Sequence, residues 1–298
     1  MMVSNRGSVL RLLLWQWRRV VLFTVASLVP VALHQELGMI HWALPALPVA
    51  VAGGALGIFV SFRTNSAYAR WWEGRILWGG MVNVSRHFAS QVIAYVQVGS
   101  DVHQRLVRRH IAYLHVLRCA LRAQDPTQDD DVQRNLTEDE RPWLGLTSPA
   151  HLLLDRQLRQ LTELSRAGSL DAFQLRSLDG SLRDMLNFQG GMERIKKTPM
   201  PRGYGFIADR LTVAFALLLP FALVAELGWV TVPVSVLVCL AFALISEAGR
   251  VLEDPFTMFW NGLPLFAITK TIEHNLREAL GERDLPPLPS ANAEGILL

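Results

Sequence analysis

The sequence predicts an all-α, polytopic membrane protein with four transmembrane helices and a large helical cytosolic region. Three observations predict this class. The chain has 298 residues, of which 51% are hydrophobic and only 18% are charged, below the quarter usual for soluble domains. Its apolar residues gather in four stretches almost free of charge, 20–35, 43–62, 211–225 and 227–246, while 63–210 is polar and helix-patterned. Finally, the lysines and arginines flank only one end of each stretch.

In chain order, segment 1–19 contains NRGSVLRLLLWQWR, which reads as an amphipathic helix on the inner leaflet with Trp15 and Trp17 as anchors. Segment 20–62 holds transmembrane helices one and two. The first is short and contains Pro30. Basic residues ahead of an apolar run also mark signal peptides, but a second span follows almost at once, which favours a retained helix. The second run, 43–62, carries no charge over the length that crosses a bilayer core. Charge then returns abruptly in FRTNSAYARWWEGR, placing an aromatic and cationic belt at a membrane–water interface.

Segment 63–210 is the cytosolic helical region. Helical periodicity runs through 76–98, then through 103–123, with Arg105, Arg108, Arg109, Arg118 and Arg122 on the polar sides. A polar loop occupies 124–145. Pro149 sits at a first-turn position ahead of a helix at 150–166, and Gly168-Ser169 separates it from another at 170–189. In GGMERIKKTPMPRGYG two prolines forbid a continuous helix into the third span. Segment 211–248 holds transmembrane helices three and four. A C-terminal cytosolic helix follows within 249–283, and 284–298 is a proline-rich, loosely held tail.

Orientation follows from the basic residues. Arg6, Arg11, Arg18 and Arg19 precede span one, and Arg63, Arg70 and Arg75 follow span two. Lys196, Lys197, Arg202 and Arg210 precede span three, and Arg250 follows span four. The connections 34–42 and 226–231 contain no Lys or Arg. Both termini and the central region are therefore expected in the cytoplasm, and the chain in the bacterial inner (plasma) membrane.

No P-loop, nucleophile elbow, HExxH or dinucleotide fingerprint occurs, so no catalytic residue is assigned. Interrupted basic positions argue against a nucleic-acid surface. Cys119 and Cys239 support neither a disulfide nor a metal. The Asp129–Asp131 triplet reads as a solvated turn, and His103, His110 and His115 as surface or interfacial residues. Glu226 and Glu247 flank span four as interface residues, and no span carries an ionisable group at its centre, which weakens a coupled transporter. Gly53, Gly54, Ala55 and Gly57 make span two slim. Two readings of it stay open: tight helix packing, or a ring of such helices in which Gly54, Ile58 and Phe62, four residues apart, face an axis as a hydrophobic constriction.

The chain resembles the bacterial bestrophins. The stretches that carry the resemblance are FRTNSAYARWWEGRILWGG after span two, GGMERIKKTPMPRGY before span three, and EDPF, NGLPL and IEHNL after span four. The resemblance implies a homopentamer around one central pore, conducting small monovalent ions: anions such as chloride by family, with sodium possible in bacterial members. It implies no cofactor, and lipid and ions as partners. It places the pore neck at Gly54, Ile58 and Phe62, with Gly54 standing where relatives carry a bulky aliphatic residue. That departure implies a neck wider or shorter at its outer end, or a register that recruits Ala55. It places a cytosolic aperture at Leu182, with Leu178 and Met185 as neighbours. DPFTMFWNGLPL lacks the acidic run of the eukaryotic calcium clasp, so no metal is expected. The competing reading is a secondary transporter, or a membrane enzyme acting on a small metabolite or lipid.

Overall fold

A computed structural model describes residues 1, 15–38, 43–96, 99–293 and 295–297, apart from the side chains of Ser100, Arg202 and Tyr204. The amphipathic helix expected in 1–19 lies, for residues 2–14, outside the described residues. Among the described residues the fold is helical, without strands. The helices are α1 (Trp17–Gln35), α2 (Ala46–Tyr95), α3 (Ser100–Arg122), α4 (Asp130–Asn135), α5 (Pro149–Arg166), α6 (Ala172–Lys197), α7 (Arg202–Leu227), α8 (Thr231–Leu252) and α9 (Leu265–Ala279). They form two compact units: an apolar one from α1, α2 as far as Trp71, and Pro199–Glu253, and a polar one from Trp72–Thr198 and Asp254–Leu298.

In the apolar unit α1 packs against α7 and α8, and these pack on each other. Phe23, Leu56, Val60, Phe215, Leu219 and Cys239 belong to its core, each large apolar side chain contributing about 1.5–3 kcal/mol when fully buried. Three helical stretches are long and apolar enough to cross a membrane: Trp17–Gln35, Ala46–Tyr95 and Gly205–Leu252. A 3-10 turn at Gly228–Val230 divides the last one, opening at Gly228, whose φ of 50° suits a residue without a Cβ. Pro30 and Pro220 lie inside α1 and α7 without ending either helix.

In the polar unit α3 is the central element, packed by α4, α5, α6 and α9. Its Leu106, Ile111, Leu114 and Leu117 are fully buried. Local chemistry sets the boundaries. Asp129 caps α4 by accepting from the backbone N–H of Asp131 and Val132. Pro149 opens α5, and Asp171 with Gln174 forms a capping box on α6. α6 runs to Lys197, further than its expected end at 189, and stops ahead of Pro199 and Pro201; α7 restarts directly after them.

Candidate pore helix

α2 is continuous over 50 residues. Within the apolar unit its packed face reads Val49, Gly53, Leu56, Val60, Arg63 and Ala67, a spacing of three and four. Gly53 is required there: a Cβ would meet the Phe215 ring at 2.9 Å. At Gly57 a built Cβ would lie 3.5 Å from Phe242, an ordinary contact that leaves room for a methyl group. The opposite line behaves otherwise. No atom lies within 4 Å of a Cβ built on Gly54, and Ile58 and Phe62 are 61% and 67% exposed in the protomer. Tight packing thus explains Gly53, while Gly54, Ile58 and Phe62 remain uncovered. Ser61, Asn65 and Ser66 are exposed beside them, a more polar surface than the Val21, Val25 and Val29 exposed on α1.

The packed face of α2 is clamped at the end of its apolar run. Arg63 donates through Nη1 to Ser246 Oγ and through Nη2 to Glu253 Oε1, both at 2.8 Å. Thr64 Oγ1 donates to Val60 O at 2.9 Å and faces Ile245 O at 3.3 Å. A Cβ on Gly249 would meet Thr64 Oγ1 at 2.9 Å, so that glycine permits the close approach. Arg70 Nε donates to the Glu253 backbone oxygen at 2.7 Å. Glu247, expected as an interface residue, is buried and pairs with Arg250 and Arg19.

The polar unit brings together parts of the three motifs that carry the resemblance. Gly74 lies against Pro255 and Phe256, with 3.1 Å to a built Cβ. Lys196 Nζ donates to Asp254 Oδ2 at 2.6 Å, and Arg194 pairs with Glu73. Asp254 also accepts from the Phe256 backbone N–H at 3.1 Å, which fixes the turn of the DPF element.

Leu182, expected at a cytosolic aperture, is 5% exposed in the single protomer, and its neighbours Leu178 and Met185 are also buried. That stripe of α6 is core. The helix uncovers Phe173 instead, at 84%, and Leu186.

Other polar residues of this unit are buried against expectation. His110 and His115 are fully buried rather than superficial, and Asp131 is buried rather than a solvated turn residue. His110 stacks between Phe88 and Tyr113, with ring centroids at 5.3 and 5.6 Å. Burial pushes its pKa down to about 3 and raises that of the Tyr113 hydroxyl. Burial likewise pushes the Cys119 thiol up to about 11, leaving it an inert side chain. Arg109 and Glu140 form a buried ion pair completed by Gln157 and Gln160, each 2.7 Å from Arg109 Nη1; desolvation lowers the Arg109 pKa against the pull of Glu140. His115, Asp129 and Asp131 bring ligand atoms within 4.8 Å of one another. Their carboxylates already carry Arg118, Arg134 and Lys270, and Lys270 also meets Glu273, which His115 contacts at 3.1 Å. This is a salt-bridge network, with cations where a metal would sit.

An all-helical chain with three stretches long and apolar enough to cross a membrane belongs to the class of multi-pass membrane proteins. Within that class, this chain is a member of the bacterial and fungal bestrophins, since the family described as Bacterial/Fungal Bestrophin protein matches residues 1–278. Similar proteins include the voltage-dependent anion channel-forming protein YneE of Salmonella typhi, 34% identical over 267 residues, covering 89% of this chain and 86% of that one. The voltage-dependent anion channel-forming protein RSc3414 of Ralstonia nicotianae is 34% identical over 303 residues, covering 98% and 95%. The crystal structure of a bacterial bestrophin homolog from Klebsiella pneumoniae superposes with a TM-score of 0.82 at 32% identity, covering 90% of this chain and 98% of that one. The names are those of channels, not of enzymes.

Proposed function

We propose that the chain forms a homopentameric anion channel in the bacterial inner membrane, with four spans per subunit and both termini cytoplasmic. The observation that carries this reading is the division of α2 into a face packed through Gly53 and an uncovered line of Gly54, Ile58 and Phe62. Five copies of that line around an axis make an apolar neck. Ions shed part of their hydration to cross it, and the neck closes by dewetting when it narrows. The anion assignment rests on the names of the relatives in Salmonella and Ralstonia. We assign the cytosolic narrowing to Phe173, the most exposed large apolar side chain of α6.

Purified protein in planar bilayers under asymmetric sodium chloride tests this. A current that rises with driving force and reverses near the chloride equilibrium potential is expected, and Ile58→Ala with Phe62→Ala should raise conductance or change selectivity. Reversal near the sodium potential reassigns the permeant ion to cations. Saturable, proton-coupled uptake would make the protein a transporter, and alanines without effect would remove the neck assignment. Cross-linking in detergent that stops at a species other than five subunits would refute the pentamer.

A further inference from the structure

An apolar neck has no charge of its own, so fixed charges held behind it can bias which sign of ion crosses. Arg63 directly follows Phe62 in the chain but belongs to the packed face of α2 and is 3% exposed. Its Nε has no partner among the described residues, while Nη1 and Nη2 are bonded to Ser246 and Glu253. The guanidinium also lies against α7, where a Cβ on Gly205 would come within 2.9 Å of Nη2. Glu253 is 30% exposed at its side chain. The neighbouring charges are otherwise engaged. Asp209 faces Ser246 Oγ at 3.5 Å and Arg19 at 3.5 Å, Glu247 pairs with Arg250, and Arg70 is bonded to the Glu253 backbone. Glu253 is therefore the carboxylate that neutralises Arg63.

We propose that the Arg63–Glu253 pair sets the charge preference of the conduction path. The buried guanidinium holds a fixed positive charge about one helix width, ~10 Å, from the ion at Phe62, and Glu253 partly cancels it. Protein and lipid around the pair screen it far less than water would. Arg63 is thus a specificity-determining residue placed behind the pore wall and not in it. This rests on the neck reading, because Phe62 must face the ions for the charge next to it to matter.

The test is the reversal potential of the full-length channel in asymmetric sodium chloride, measured for Arg63→Gln, Arg63→Lys and Glu253→Gln beside the wild type and Phe62→Ala. Arg63→Gln is expected to shift it toward the sodium potential and Glu253→Gln toward the chloride potential, each by about tenfold in permeability ratio, while Arg63→Lys stays near the wild type. A pair acting only as a structural clamp has no reason to move selectivity in opposite directions. Shifts of the same sign in the two glutamine variants, or no shift in either, overturn the proposal. Should Arg63→Gln fail to assemble, Glu253→Gln decides alone, since it keeps the Ser246 bond, and an unchanged potential overturns the idea. Failure of both to assemble assigns the pair to folding and overturns it as well. A wild type without current, or a Phe62→Ala channel identical to the wild type, defeats the neck reading instead, and this proposal with it.

Discussion

Gly54 allows the neck to be tested by adding a side chain. The position is helical and nothing lies within 4 Å of its missing Cβ, so Gly54→Leu enters open space within the protomer. It also removes a glycine from a helix interior, a gain of about 0.5–1 kcal/mol per protomer. Gly53 is the internal control. There a Cβ meets two ring carbons of Phe215 at 2.9 Å, and Gly53→Ala must displace a buried aromatic ring. Overpacking of that kind costs about 1–3 kcal/mol, which outweighs the same propensity gain. Adjacent glycine replacements thus have opposite expected effects on the melting temperature of the detergent-solubilised protein. In single-channel recordings Gly54→Leu adds a third apolar tier above Ile58 and Phe62, lengthening the dewetted stretch by one turn, about 5.4 Å. A tenfold fall in conductance requires an added barrier of only about 1.4 kcal/mol. If Gly54→Leu melts as low as Gly53→Ala, the face is packed in the assembly. If it is stable and conducts like the wild type, ions do not pass it. Either result refutes the reasoning.

Three further outcomes concern the polar unit. The folded state holds His110 neutral down to about pH 3, against an ordinary pKa of 6.5. Its contribution of up to about 5 kcal/mol is therefore complete above the unfolded value and is lost as pH falls toward the folded one. His110→Phe should flatten that limb of a plot of melting temperature against pH, and an unchanged slope there argues against a buried neutral ring. Burial alone would raise the pKa of Glu273, but hydrogen bonds and charge from His115 and Lys270 outweigh it and hold the carboxyl down, from 4.5 to about 2. Its share, about 3 kcal/mol, is present above the unfolded pKa and lost as pH falls through the folded one. Glu273→Gln should remove the acid limb in that lower window and leave the His110 limb in place. Glu140→Gln strands the buried Arg109 guanidinium and should cost about 3–5 kcal/mol in denaturant unfolding. The apolar pair Arg109→Met with Glu140→Leu should lose much less, and equal losses would mean that packing alone is at stake.

Much of the architecture was legible because membrane insertion imposes constraints that a single sequence displays. Uncharged runs marked the apolar helices and Pro199 with Pro201 the break between α6 and α7, while the helical period in 76–98 left open whether α2 runs unbroken past its belt, as it does to Tyr95. The burial of α3 was not legible for a physical reason. Periodicity reveals which face of a helix is apolar, but not how many neighbours surround it. With α4, α5, α6 and α9 packed around it, α3 buries Arg109, His110, His115 and Arg118 along with its leucines. A pattern of basic residues suited to a solvated face instead marks positions that require internal partners, such as Glu140 on one side and Asp129 and Glu273 on another.

The burial of Leu182 and the division of α2 follow from one rule. An apolar residue at core spacing is buried by its own protomer, as Leu178, Leu182 and Met185 are. A residue that faces a shared axis lies off that stripe, and Phe173, just inside the capping box of α6, is exposed there. On α2 the sorting is inverted relative to an ordinary amphipathic helix. The packed face uses Gly53 to admit Phe215, while Ile58 and Phe62 stand outside it. Burying Ile58 and Phe62 against the protomer would have returned about 1.5–3 kcal/mol each, so a sequence that leaves them outside has another surface for them to meet. Lipid alone does not account for a line bordered by Ser61, Asn65 and Ser66, whose polar groups gain nothing from hydrocarbon. In the proposed assembly Ile58 and Phe62 would meet their counterparts from other copies of the helix, and Ser61, Asn65 and Ser66 would meet water along the shared axis.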